Sequence, residues 1–319
     1  VAEELFRKSL LIRPDNPPTQ LGFARLLYMT KRASEGDKLV DSVIEKHPDN
    51  TGAYYLLLKK ALNSGDRVGA ITSLTKIKSI NPDDIYASYM LGMLYLDVGK
   101  IEEARQIAAD LMARKPKHPA GYRIDGAALY QIGDDEAAVE KLQKSLNGMP
   151  DLSGFYLLGL ASYRLGQLEQ AISHFQKALD EVPSHQPSRL MIAQTLLKQG
   201  RIDDCIRQTN LVLEQDPSNA NAHNILGSAY LLQKKYDLAM AEIETAIKIN
   251  PDLAQAHLKK GLFNLAIGKK QQGEIDLANA VHAAPEILNT RLLLATYYLR
   301  QHNYPMALQR LEEGLAISP

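Results

Sequence analysis

Ten prolines constrain this chain more than any other feature. Pro14, Pro48, Pro82, Pro116, Pro150, Pro183, Pro217, Pro251, Pro285 and Pro319 follow one another every 34 residues, except for one interval of 33 between Pro150 and Pro183. A period in this range, held along a whole chain, arises when one small element stacks on the next because none buries its apolar face alone. At 319 residues the chain is long enough for two globular domains, but the spacing points to a linear array. Residues 1–14 read as the second helix of a truncated repeat, and residues 15–319 as nine tandem repeats in a single continuous solenoid.

Within each repeat the apolar residues recur three and four apart. Ile225, Leu226, Ala229 and Tyr230 form one such run, and Leu238, Ala239, Ile243, Ala246 and Ile247 the next. Gly65, Gly99, Gly133, Gly166, Gly200 and Gly268 fall between two runs, where a left-handed residue ends a helix. Asp15, Asp49, Asp83, Asp151, Ser184, Ser218 and Asp252 directly follow their prolines and are expected to cap the next helix. The residue missing from the short interval is expected in the turn around 151–154, with both following helices intact. Numbering each proline as position 32 puts small residues such as Gly92, Gly126, Gly227 and Gly261 at position 8. Position 20 holds Gly36, Ala70, Ala104, Ala138, Ala171, Cys205, Ala239, Gly273 and Ala307. Small side chains at both places let the two helices of a repeat approach closely.

Small residues at 8 and 20, apolar ones at 7 and 24 and proline at 32 resemble the tetratricopeptide repeat over the whole chain. That resemblance implies an all-α fold, a right-handed superhelical α-solenoid of stacked helix-turn-helix repeats with nineteen helices. It also implies that positions 2, 5, 9, 12 and 13 of each first helix face a concave groove. The loose, tryptophan-free repeats bear a weaker likeness to long bacterial arrays of exopolysaccharide and protein-sorting (PEP-CTERM type) systems of the cell envelope.

No nucleotide-binding, HExxH or GxSxG motif is present, so the chain reads as non-enzymatic, with no cofactor and no metal expected. His223 and His257 share position 4 and read as packing residues. Cys205 occupies a slot for small residues, and a single cysteine rules out an internal disulfide framework. Lysine plus arginine equals aspartate plus glutamate at 37 each, which gives no overall attraction to nucleic acid. No apolar run approaches the roughly 20 residues of a membrane span. The compartment stays open between cytoplasm and bacterial periplasm or envelope.

The groove positions carry Arg25, Lys59, Arg123, Arg164, Lys198 and Arg300 against one acid, Asp97. Tyr28, Tyr55, Tyr86, Tyr89, Tyr130, Tyr156 and Tyr163 join them in the first five repeats. Asn221, Asn224 and leucines from Leu190 to Leu299 take these places later. Such a surface suits a protein or peptide segment, extended or helical, bearing acidic and apolar side chains. The alternative is a regulatory or substrate-selecting array within a larger enzyme or an envelope polysaccharide or protein export complex. Some members of the family clamp a terminal carboxylate with paired Lys and Asn, and Leu21/Arg25 and Tyr55/Lys59 lack that pair. Leu5, Phe6 and Leu10 at one end, and Leu308, Leu311 and Leu315 at the other, are expected to offer uncapped faces for end-to-end self-association.

Overall fold

The computed structural model describes residues 1–316, and among them are nineteen α-helices and no strand. They gather into two compact units, Val1–Leu165 and Gly166–Pro319. The first contains α1 (Ala2–Ile12), α2 (Pro17–Met29), α3 (Ala33–Lys46), α4 (Thr51–Ser64), α5 (Arg67–Ile80), α6 (Ile85–Asp97), α7 (Ile101–Arg114), α8 (Pro119–Ile132), α9 (Asp135–Leu146) and α10 (Leu152–Arg164). The second contains α11 (Leu168–Glu181), α12 (Gln186–Lys198), α13 (Ile202–Gln215), α14 (Ala220–Leu232), α15 (Tyr236–Ile249), α16 (Ala254–Ala266), α17 (Lys270–Ala283), α18 (Leu288–Arg300) and α19 (Tyr304–Leu315). The last proline of the series, Pro319, lies outside the described residues. Among the described residues no helix is long and apolar enough to cross a membrane.

Within each unit every helix packs on the next, and first helices also touch one another: α2 on α4, α6 on α8, α12 on α14. The core is built on position 24, where Val40, Leu74, Leu142, Phe175 and Ile243 are fully buried. Each such side chain contributes about 1.5–3 kcal/mol when removed from water. Gly227 shows why position 8 stays small. A Cβ there would lie 2.7 Å from Ile243 Cγ1 and 3.2 Å from the carbonyl of Ala239.

Every repeat breaks between its helices on a left-handed residue. Six are the expected glycines, with φ between 70° and 88°, and the other three are Lys31, Lys234 and His302. The caps depart from expectation by one residue. Asn16, Asn50, Asp84, His118, His185 and Asn219, each second after its proline, accept the amide bond at the start of the next helix. Asp151 alone caps from directly behind its proline, accepting from Gly154 N at 2.7 Å. The residue missing from the 33-residue interval is therefore the one that elsewhere separates proline from cap. Helices α10 and α11 keep their ordinary lengths, while α9 ends at Leu146, two residues earlier relative to its proline than α7.

Candidate binding groove

In the first unit, α2 and α4 enclose a concavity of about 340 Å³ lined by Leu21, Gly22, Arg25, Gly52, Tyr55, Leu56 and Lys59. Arg25 and Lys59 are exposed, and neither forms an ion pair or side-chain hydrogen bond among the described residues. The glycines and leucines keep the floor shallow and apolar. Two tyrosines at groove positions donate to acids on neighbouring elements. Asp37 receives the Tyr28 hydroxyl at 2.8 Å and Lys60 Nζ at 2.6 Å, and Asp84 receives the Tyr55 hydroxyl at 2.7 Å. Burial, then the hydrogen bond to the carboxylate, pushes the hydroxyl pKa of both Tyr28 and Tyr55 well above the usual tyrosine range. Tyr86 stands exposed with its ring 6.2 Å from that of Tyr55, extending the aromatic surface.

Further along the same unit the expected groove cations are in use. Arg123 is fully buried, which overturns its placement in the groove. Its Nε donates to Ser145 Oγ at 3.1 Å, Nη1 to Asp151 Oδ1 at 2.6 Å and Nη2 to the Met149 carbonyl at 2.9 Å. The guanidinium thus bridges the shortened connection. Ser145 replaces the apolar residue found at the equivalent place in α5 and α7, Ile77 and Leu111. Gly154 leaves the room, since a Cβ there would meet the guanidinium at 2.3 Å. Arg164 is partly exposed but tied: Nε donates to Asp135 Oδ1 at 2.8 Å, and the guanidinium lies 3.8 Å over the Tyr130 ring. Tyr89, Tyr156 and Tyr163 are half-buried, and burial raises the pKa of each hydroxyl. Asp97, the groove acid, pairs with Arg67.

In the second unit Lys198 and Asn221 are exposed, whereas Asn224 is buried, again against its placement as a contact residue. Asn224 instead accepts Lys259 Nζ on its side-chain oxygen at 2.7 Å and on its carbonyl at 3.2 Å. Lys259 lies at position 6, outside the positions that the resemblance assigns to the groove, so only a lysine between Leu258 and Leu262 could have drawn attention to it. Of the leucines, Leu231, Leu258 and Leu265 pack against core clusters, while Leu262, Leu292 and Leu299 remain exposed.

Six of the position 4 residues share a structural task. Tyr54, Tyr122, Arg189, His223, His257 and Arg291 each bond to the carbonyl of the repeat proline six residues earlier. The imidazoles of His223 and His257 are spent on this turn, and His223 Nδ1 also meets Glu242 Oε2 at 2.6 Å. In the shortened repeat Phe155 has no such donor, and Arg123 serves the turn from the preceding repeat. Cys205 is buried, and burial pushes its thiol up to about 11, which leaves it unreactive.

Comparison with known proteins agrees with this architecture. The family model described as tetratricopeptide repeat matches residues 1–62, 61–124 and 162–229, and a second model of that description matches 220–253. A tetratricopeptide repeat protein from Parabacteroides merdae ATCC 43184 superposes with a TM-score of 0.59 at 19% identity, over 86% of this chain and 98% of that one. The APC/C hetero-tetramer Cut9-Hcn1 gives a TM-score of 0.60 at 15% identity, over 94% of this chain and 60% of that one. In sequence, the chain is 25% identical over 151 residues to "Cellulose synthase operon protein C" of Xanthomonas axonopodis pv. citri (strain 306). That match covers 45% of this chain but 10% of the curated relative.

Proposed function

Because the chain belongs to the tetratricopeptide repeat family, we propose that it is a protein-interaction scaffold whose first unit docks an acidic, apolar segment of a partner. One observation carries this reading: among the described residues Arg25 and Lys59 stand unpaired over the apolar floor between α2 and α4. Exposed cations of this kind steer an acidic ligand and fix its register, while the floor and Tyr86 supply the buried contact area. Arg164, held by Asp135 and Tyr130, contributes to the fold instead.

The test uses a fluorescent, end-capped peptide of alternating Glu and Leu and measures its anisotropy with the full chain. R25E/K59E is expected to weaken binding at least tenfold, and salt is expected to weaken it for the unaltered chain, because exposed charges are screened. The helix signal in circular dichroism should stay the same. Equal affinity for both proteins would overturn the reading.

A second reading has support from sequence similarity. The likeness to a protein of a cellulose synthase operon favours an array that organises a cell-envelope polysaccharide assembly. In that setting the same face would hold a protein component of the assembly.

A further inference from the structure

Among the described residues Lys259 has no counter-charge. It is half-buried on α16, and among the described residues no carboxylate lies within ion-pair distance of its ammonium. Its neighbour Lys260 does have one, Glu244 Oε1 at 2.9 Å. The two hydrogen bonds of Lys259 both go to one residue, Asn224, whose carbonyl also accepts Ser228 Oγ at 2.9 Å. Neutral acceptors solvate an ammonium without neutralising it, and burial lowers its pKa to about 8. The first helices of the unit, α14, α16 and α18, also leave apolar side chains in water. At groove positions Leu232 is 57% exposed, Leu262 43%, Leu292 39% and Leu299 45%. Leucines left in water on three successive first helices, with an unneutralised charge on the middle one, define a complementary ligand: apolar side chains carrying one acid.

We propose that this face of the second unit docks an amphipathic protein segment whose leucine-type side chains cover Leu232, Leu262, Leu292 and Leu299 and whose acidic side chain pairs with Lys259. The inference rests on reading the first-helix faces as docking surfaces, and it adds a selector in the second unit. The acid is a side chain within the segment and not a chain terminus, since one ammonium offers one pairing and the leucines need side chains on both flanks of it.

The experiment compares two helix-forming peptides, acetylated and amidated at their ends, with leucines three and four apart and either one Glu or one Gln among them. Their affinities are measured for the full chain, for Lys259→Met, for R25E/K59E and for the two changes combined, with circular dichroism as a check on folding. In R25E/K59E, where the first-unit face no longer favours an acid, the Glu peptide is expected to bind about tenfold more tightly than the Gln peptide at pH 7, and adding Lys259→Met is expected to erase that preference. The complex requires charged lysine, so binding takes up a proton above pH 8, and the preference should fall as pH rises through about 8. Equal affinity of R25E/K59E for the two peptides, or a preference that survives adding Lys259→Met, overturns the inference. If binding is lost in R25E/K59E and indifferent to Lys259, the docking reading stands and this one fails. Absence of binding to the unaltered chain, or binding only when the peptide's terminal carboxylate is free, also defeats it.

Discussion

The α2/α4 face and the α8/α10 face of the first unit look alike in sequence and behave differently in the structure. Both present basic residues at groove positions beside tyrosines: Arg25 and Lys59 with Tyr28 and Tyr55, Arg123 and Arg164 with Tyr130 and Tyr156. On the first face the tyrosine hydroxyls donate to Asp37 and Asp84, and among the described residues Arg25 and Lys59 have no ion pair. On the second face Asp151 and Asp135 hold Arg123 and Arg164 directly. For Arg123 the shortened connection matters: the missing residue puts the cap Asp151 next to its proline, Phe155 brings no polar donor to the turn, and the guanidinium threads the core to reach both Asp151 and the Met149 carbonyl. A basic residue at a groove position is thus open to a partner on the first face and committed to the fold on the second.

Substitutions should rank along this contrast. Arg123→Ala is expected to destabilise by about 3 kcal/mol, because it strands the Met149 carbonyl and Ser145 and leaves a cavity against Gly154. Chemical denaturation would measure it, and a loss under 1 kcal/mol would show that the short connection holds without the guanidinium. Arg164→Ala should cost about 1 kcal/mol, from a partly exposed pair and a stacked ring. The smallest change in stability belongs to R25E/K59E, within about 0.5 kcal/mol, as for surface residues away from any network.

Much of the fold is legible from period alone, because prolines at fixed spacing and small residues at positions 8 and 20 follow from how paired helices pack. Lys31, Lys234 and His302 take the left-handed break without the glycine that would announce it. The caps shift by one residue because the turn keeps a spacer between proline and cap, and sequence does not say which of two adjacent polar residues faces the amides. The groove is harder to read. Arg123 is recognisable as a core residue only together with Ser145, Gly154 and the deletion, three changes in two repeats that matter solely because they meet in space. Asn224 and Lys259, 35 residues apart, form a pair that position-by-position reading separates into a contact residue and a bystander. A sign count along the groove likewise treats Arg25 and Arg164 as equals, although one faces water and the other faces Asp135.

Hydrogen exchange of the full chain with and without the capped Glu–Leu peptide tests the central claim most directly. Docking between the unpaired cations predicts slowed exchange in α2 and α4, around Leu21–Arg25 and Leu56–Lys59, with little change in α3 and α5. Protection confined to the second helices α3, α5 and α7, with α2 and α4 exchanging as in the free chain, would contradict it.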